Sequence, residues 1–176
     1  MNPGEGMDAA TWLNTAKPEE IAKVLWRYGE ERFSRRIVNA IVEQRPLTST
    51  LQLANLIAEA VPIKEKHKHP ATRSFQAIRI FINNELGELE AVLQDSVDVL
   101  AMGGRLCVIS FHSLEDRMVK RFIAKESKGE SYPRHFPIKD ADIHRRLKKV
   151  GGLIRSTDEE LNDNVRARSA RLRIAE

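Results

Sequence analysis

Through most of the first hundred residues, apolar side chains recur every three or four positions, the spacing of one face of a helix. Pro18, Glu19 and Glu20 predict a helix start, Ile21, Val24, Leu25 and Tyr28 form its stripe, and Gly29 is placed as its C-terminal cap. Phe33, Ile37, Val38 and Ile41 predict a second helix ending before Pro46. Thr48 or Ser49 can cap a third, with Leu53, Leu56, Ile57 and Ala60 as its stripe. A short helix around Ala9 to Leu13 precedes them. Pro70 is read as opening another helix with Phe75, Ile78, Ile82 and Leu86 inward, weakened at Asn83, Asn84 and Gly87. The stripe then resumes through Leu89, Val92, Leu93 and Val97 to Leu100, and Gly103-Gly104 ends it.

One strand stands out. Residues 105–111, Arg-Leu-Cys-Val-Ile-Ser-Phe, form an apolar run without polar alternation, the signature of a strand covered by helices on both faces. Ser113 with Asp116 is read as a capping box for a helix through Val119, Phe122 and Ile123. This βαβ-type order predicts an α/β fold with a parallel sheet. Ser127 to Asp140, broken by Gly129, Pro133 and Pro137, is expected to be a loop, and His144 to Lys149 a helical turn or two. Val150–Arg155 and Ala167–Ile174 are the remaining strand candidates. A strand as apolar as 105–111 needs neighbours on both edges. No strand is predicted ahead of it and at most two behind, so the pattern reads as the second half of a larger sheet.

At 176 residues, 41% apolar and 31% charged, the chain is long enough for a packed core. It has no run of eighteen apolar residues and no signal-peptide pattern, so a cytoplasmic protein is expected. One cysteine leaves no internal disulfide or cysteine-rich zinc module, and Cys107, mid-strand, is expected to be a buried, inert thiol. The net charge of +4 is unevenly spread. Residues 1–100 carry 12 basic and 14 acidic side chains, residues 101–176 carry 17 and 11, and a basic second half favours a polyanionic partner.

Lys64, Lys66, His67, Lys68, His69 and Arg73 fall within ten residues. Beside the helix start at Pro70, with backbone N–H groups expected to point outward, Lys68, His69 and Arg73 are candidates for phosphate contacts; a solvated cationic loop is the alternative. His112 and Ser113 follow the apolar strand, where open α/β sheets bind ligands, or else Ser113 merely caps and His112 packs beside it. Residues 164–173 place four arginines, Arg166, Arg168, Arg171 and Arg173, within eight positions, able to track a nucleic-acid backbone or to protect an exposed edge strand. The five histidines, His135 and His144 included, do not cluster as metal ligands, and no metal is expected. No G-x-S-x-G, G-x-G-x-x-G or P-loop motif occurs, which removes serine hydrolases and nucleotide cradles from consideration.

The runs Tyr28-Gly-Glu-Glu-Arg-Phe33, His69-Pro-Ala-Thr-Arg-Ser-Phe-Gln-Ala-Ile-Arg79, Asn84-Glu-Leu86, Gly103-Gly-Arg-Leu106, Ile109-Ser-Phe-His-Ser-Leu-Glu-Asp-Arg117, Val119-Lys-Arg-Phe122 and Arg166-Ala-Arg-Ser-Ala170 occur in order. Together they resemble the ribosomal RNA small-subunit methyltransferase H family across the whole chain. The resemblance implies methylation of N4 of a decoding-centre cytosine in 16S ribosomal RNA, with S-adenosylmethionine as methyl donor. It implies a helical substrate-recognition domain over residues 1–83, followed over 84–176 by the C-terminal part of a Rossmann-like class I methyltransferase sheet. Strand 105–111 would be the fifth of that sheet, its missing neighbour the fourth.

The family's glycine-rich cofactor loop, ribose-binding acid and Asp-Leu-Gly strand end have no counterpart here. No cofactor-binding residue is therefore expected in this chain, which is expected to be inactive alone. The resemblance leaves Lys68, His69, Arg73, Arg166 and Arg168 as RNA-binding candidates, and His112 and Ser113 as pocket-lining candidates near the cytosine. The partners expected are 16S rRNA in the small ribosomal subunit and either the missing N-terminal half or a second copy at the unpaired sheet edge. The alternative is a noncatalytic RNA-binding module that retains only the substrate domain.

Overall fold

The computed structural model describes residues 6–63, 68–129 and 143–176. The chain divides into two compact units, with the boundary between Glu85 and Leu86.

The first unit is helical. Asp8 caps α1 (Ala9–Thr15), its carboxylate accepting from the backbone N–H and hydroxyl of Thr11, both at 2.8 Å. α2 (Pro18–Gly29) starts on Pro18 as the sequence predicts. Its cap is Glu30, in the left-handed region at φ 51°, rather than Gly29. Gly29 is required for another reason: a Cβ there would come within 2.6 Å of the Arg73 carbonyl oxygen, so α2 packs backbone to backbone against α5 (Thr72–Ile82). α3 (Ser34–Glu43) and α4 (Thr50–Ala60), the latter capped by Ser49, complete the unit. The predicted stripes meet in one core of Trp12, Ile21, Leu25, Ile37, Ile41, Ile57 and Ala77, with the Trp12 and Phe81 rings 4.7 Å apart. Pro70 lies in the turn before α5, and the helix breaks fully at Asn83-Asn84, where Asn84 takes φ 48°, before α6 (Glu85–Val99) begins.

The second unit has mixed α/β architecture, as the resemblance implies. β1 (Leu106–Ser110) leads into α7 (Ser113–Lys128), and β2 (Lys149–Arg155), α8 (Asp158–Asp163), a 3₁₀ turn (Val165–Ser169) and β3 (Arg171–Ala175) follow. The sheet order is β1-β3-β2 and both pairings are antiparallel, which corrects the expectation of a parallel sheet. Because β1 and β2 each oppose β3, they run parallel to one another. The β1–α7–β2 crossover is thus the predicted βαβ unit, with the last strand inserted into its gap. Opposite Arg173 the β2 strand bulges through Gly151 (φ 65°) and Gly152.

Further expectations are corrected. Residues 167–169 belong to the 3₁₀ turn, so the last strand is shorter than predicted, and it lies in the middle of the sheet rather than at an edge. His144 to Lys148 form no helix, whereas α8 is one the apolar pattern did not reveal, having no buried residue. α7 continues through Ser127 to Lys128, and residues 130–142, with His135, lie outside the described residues, as do Lys64, Lys66 and His67.

Among the described residues, β1 is covered on one face only. Leu106 and Val108 join Val119, Phe122, Ile123, Leu93 and Ala175 in the second core, whereas Cys107 is exposed and Ile109 is 60% exposed. The buried thiol expected at Cys107 is therefore wrong: no layer among the described residues covers that side of the strand. The outer edge of β1 also has no partner strand among the described residues.

Candidate functional site

In the first unit, an open cleft of about 230 Å³ brings together the chain on either side of residues 64–67 and the turn after α2. Lys68, His69 and Arg73 line it, joined by Arg32, which the sequence reading did not single out. Phe33, Val61 and Ile63 supply its apolar wall. Glu31 is buried, its Oε1 accepting from the Phe33 N–H at 3.0 Å, which pins the turn. Arg73 Nη1 donates to the Glu30 carbonyl at 3.5 Å, tying the guanidinium to the C-terminal end of α2.

Two of the backbone N–H groups beside Pro70 are already occupied. Ala71 N donates to His69 Nδ1 at 3.2 Å and Thr72 N to the His69 carbonyl at 3.0 Å. His69 thus caps the turn and leaves Nε2 as its outward donor.

In the second unit, the turn after β1 carries His112 and Ser113. The capping box exists but is shifted by one residue from the Ser113–Asp116 reading. His112 is the N-cap, its Nδ1 accepting from Glu115 N at 3.4 Å. Glu115 Oε2 accepts in return from the N–H groups of Phe111 at 3.0 Å and His112 at 3.3 Å. Nε2 of His112 is buried 3.1 Å from Glu115 Oε1, an ion-pair distance without hydrogen-bond alignment. Burial raises the Glu115 pKa, but the bonds from the His112 side chain and the Phe111 N–H outweigh it, and the carboxyl is held below its ordinary value. Nδ1 is thus taken by the cap while Nε2 lies beside Glu115 without a hydrogen bond, and Ser113 is the first helical residue.

Asp116, placed in the wrong box by the sequence reading, has a different partner. It is 7% exposed and receives Arg173 Nε at 2.7 Å and Nη2 at 3.1 Å, with Arg171 Nη1 at 3.1 Å. The Arg173 hydrogen bonds lower its pKa against the raising effect of burial, and Arg171 lowers it further. These two arginines close on α7. Arg166 and Arg168 remain exposed on the 3₁₀ turn around the buried Ala167. Among the described residues, no three His, Cys, Asp or Glu side chains are grouped as a metal site, and no helix is long and apolar enough to cross a membrane.

The full length of the chain, residues 1–176, matches the MraW methylase family. The chain belongs to that family. It is similar to proteins named ribosomal RNA small subunit methyltransferase H: 59% identical over 179 residues to that of Coxiella burnetii (strain RSA 493 / Nine Mile phase I) and 54% to that of Marinomonas sp. (strain MWYL1). The Thioalkalivibrio sulfidiphilus relative is 58% identical over 180 residues. All of this chain is covered in each comparison, but it spans only 57–58% of the length of these relatives. In this MraW methylase chain, two of the runs that carry the resemblance, at 28–33 and 69–79, meet at one place, where α2 ends against the start of α5 and forms the basic cleft.

Proposed function

We propose that this chain supplies the substrate-recognition domain (1–83) and the C-terminal part of the methyltransferase domain (84–176) of a cytoplasmic enzyme. That enzyme would methylate N4 of a decoding-centre cytosine in 16S rRNA with S-adenosylmethionine. The observation that carries this reading is the family match over the whole chain, together with the names of its relatives. The half-covered, one-edged β1 supports the corollary that the chain works with the N-terminal segment that its relatives have, or pairs through that edge with a second copy.

Among the described residues, those at the end of β1 do not fit the methyl donor. A ribose diol needs a free carboxylate at a strand end, and the carboxylate nearest the end of β1, Glu115, is consumed by Phe111, His112 and the imidazole. The cofactor's binding residues are therefore assigned outside this chain. The chain's own part is positioning. Arg32, Lys68, His69 and Arg73 would hold RNA phosphates, His112 and Ser113 would wall the cytosine, and Arg166 and Arg168 would support RNA or that wall. The target base must be unstacked or single-stranded to be reached.

The test is a fusion of the N-terminal segment of the Coxiella burnetii relative to this chain, supplied with S-adenosylmethionine and small ribosomal subunits. Nucleoside mass spectrometry should find N4-methylcytosine at the decoding centre. A folded fusion that methylates nothing, or another atom, overturns the proposal. Calorimetry of the chain alone with S-adenosylmethionine should show no binding; stoichiometric binding would refute the assignment of the cofactor site elsewhere.

A further inference from the structure

The solvent face of α7 carries Arg117, Lys120, Arg121, Lys125 and Lys128, all exposed, and no acid. The helix's three acids, Glu115, Asp116 and Glu126, lie off this face; Asp116 and Glu126 are buried and Glu115 is half-buried. At 100° per residue, the five cations fall within a single stripe, and eleven residues of helix stretch it over roughly 16 Å. Among the described residues Lys120, Arg121, Lys125 and Lys128 enter no ion pair.

Only Lys125 and Lys128, in the last turn, suit the helix dipole; the rest of the stripe works against the helix. Arg117–Arg121 and Arg121–Lys125 are like-charge pairs at i,i+4, which destabilise a helix where an interspersed glutamate would stabilise it. Burial is supplied by the opposite face, through Val119, Phe122 and Ile123. α6, which shares that core, carries five acids and no base.

We infer that the outer face of α7 is a second RNA-binding surface, a ladder of cations that binds successive phosphates of the RNA strand independently of base sequence. This rests on the proposed RNA substrate and adds a contact surface to it. An anionic membrane is the poorer occupant, because the apolar face an interfacial helix would insert is already buried in the core.

The test uses the full chain and a fluorescent single-stranded RNA oligonucleotide of 16S sequence. The triple variant Lys120→Glu, Arg121→Glu, Lys125→Glu should weaken binding about tenfold or more and flatten the log K against log salt slope by about 2. The control Lys17→Glu, Lys23→Glu, Arg36→Glu makes the same charge change on exposed positions of the first unit. Equal losses in the two variants overturn the inference. Lysine acetylation of the unmutated chain gives a readout that needs no variant. Saturating RNA should protect Lys120, Lys125 and Lys128, and continued reactivity overturns the inference, as does protection by phosphatidylserine vesicles but not by RNA. In the fusion enzyme, the triple variant should raise KM for ribosomal subunits. An unchanged KM sinks this surface and leaves the proposed function standing. An unmutated fusion that does not methylate sinks the function, while the footprint still reports on α7.

Discussion

Arg173 and Asp116 meet side to side, Nε on Oδ1 at 2.7 Å and Nη2 on Oδ2 at 3.1 Å, joining the middle strand of the sheet to the first turn of α7. Val108 of β1 is directly paired with Arg173, so this bidentate contact closes a triangle of β1, β3 and α7 around the turn that carries His112. Arg171, paired with Ser110, adds a third bond to the same carboxylate.

Replacing Asp116 with Asn should cost about 3 kcal/mol, because it leaves two guanidinium groups facing each other without their counter-charge. The sign with pH follows from the lowered carboxyl pKa. The native pair contributes fully above the ordinary aspartate value and is lost as pH falls through the lower folded value. Urea melts of both proteins should therefore differ fully at neutral pH and begin to converge only as the pH falls below about 4. A gap that stayed constant down to pH 2 would contradict the ionic role.

His112→Ala should destabilise the chain by about 1 kcal/mol, the usual cost of a lost cap, and His112→Asn should restore most of it. Thermal melts decide this. If Asn fails to rescue while Ser113→Ala destabilises instead, the cap is one residue further on.

Gly29→Ala should cost about 2 kcal/mol or more, since the new methyl meets backbone at Arg73 rather than a yielding side chain. By displacing the start of α5, it should also weaken RNA binding at the cleft. An alanine variant that melts like the parent would show that the close approach of α2 and α5 is not rigid.

Charge reversal at Arg73 should lower RNA affinity and reduce its salt dependence by about one phosphate contact. Affinity and slope both unchanged would remove Arg73 from the RNA contacts.

The uncovered side of β1 predicts self-association at micromolar concentration and rapid reaction of Cys107 with a thiol reagent in the native chain. Ile109→Lys should raise the monomer fraction seen by sedimentation. A monodisperse parent with a protected thiol would mean that this face is covered.

The helices of the first unit were legible because each buries a stripe at helical spacing against the others, and local signals such as Asp8, Pro18 and Ser49 mark their starts. The site was legible in part. The clustering of Lys68, His69 and Arg73 is local, but Arg32 joins them only because Gly29 lets α2 lie against α5.

The sheet shows where local pattern stops. On β3, the alternation of Leu172 and Ile174 with Arg171 and Arg173 is plain in the sequence, and apolar residues are normally expected to face the packed side. The structure does the reverse, turning the arginines toward α7. Spacing determines which residues share a face, whereas strand order, pairing direction and the choice of inward face depend on partners far along the chain. The partner here is Asp116, 55 and 57 residues away in sequence, and burying a charge is tolerated only where such a partner waits.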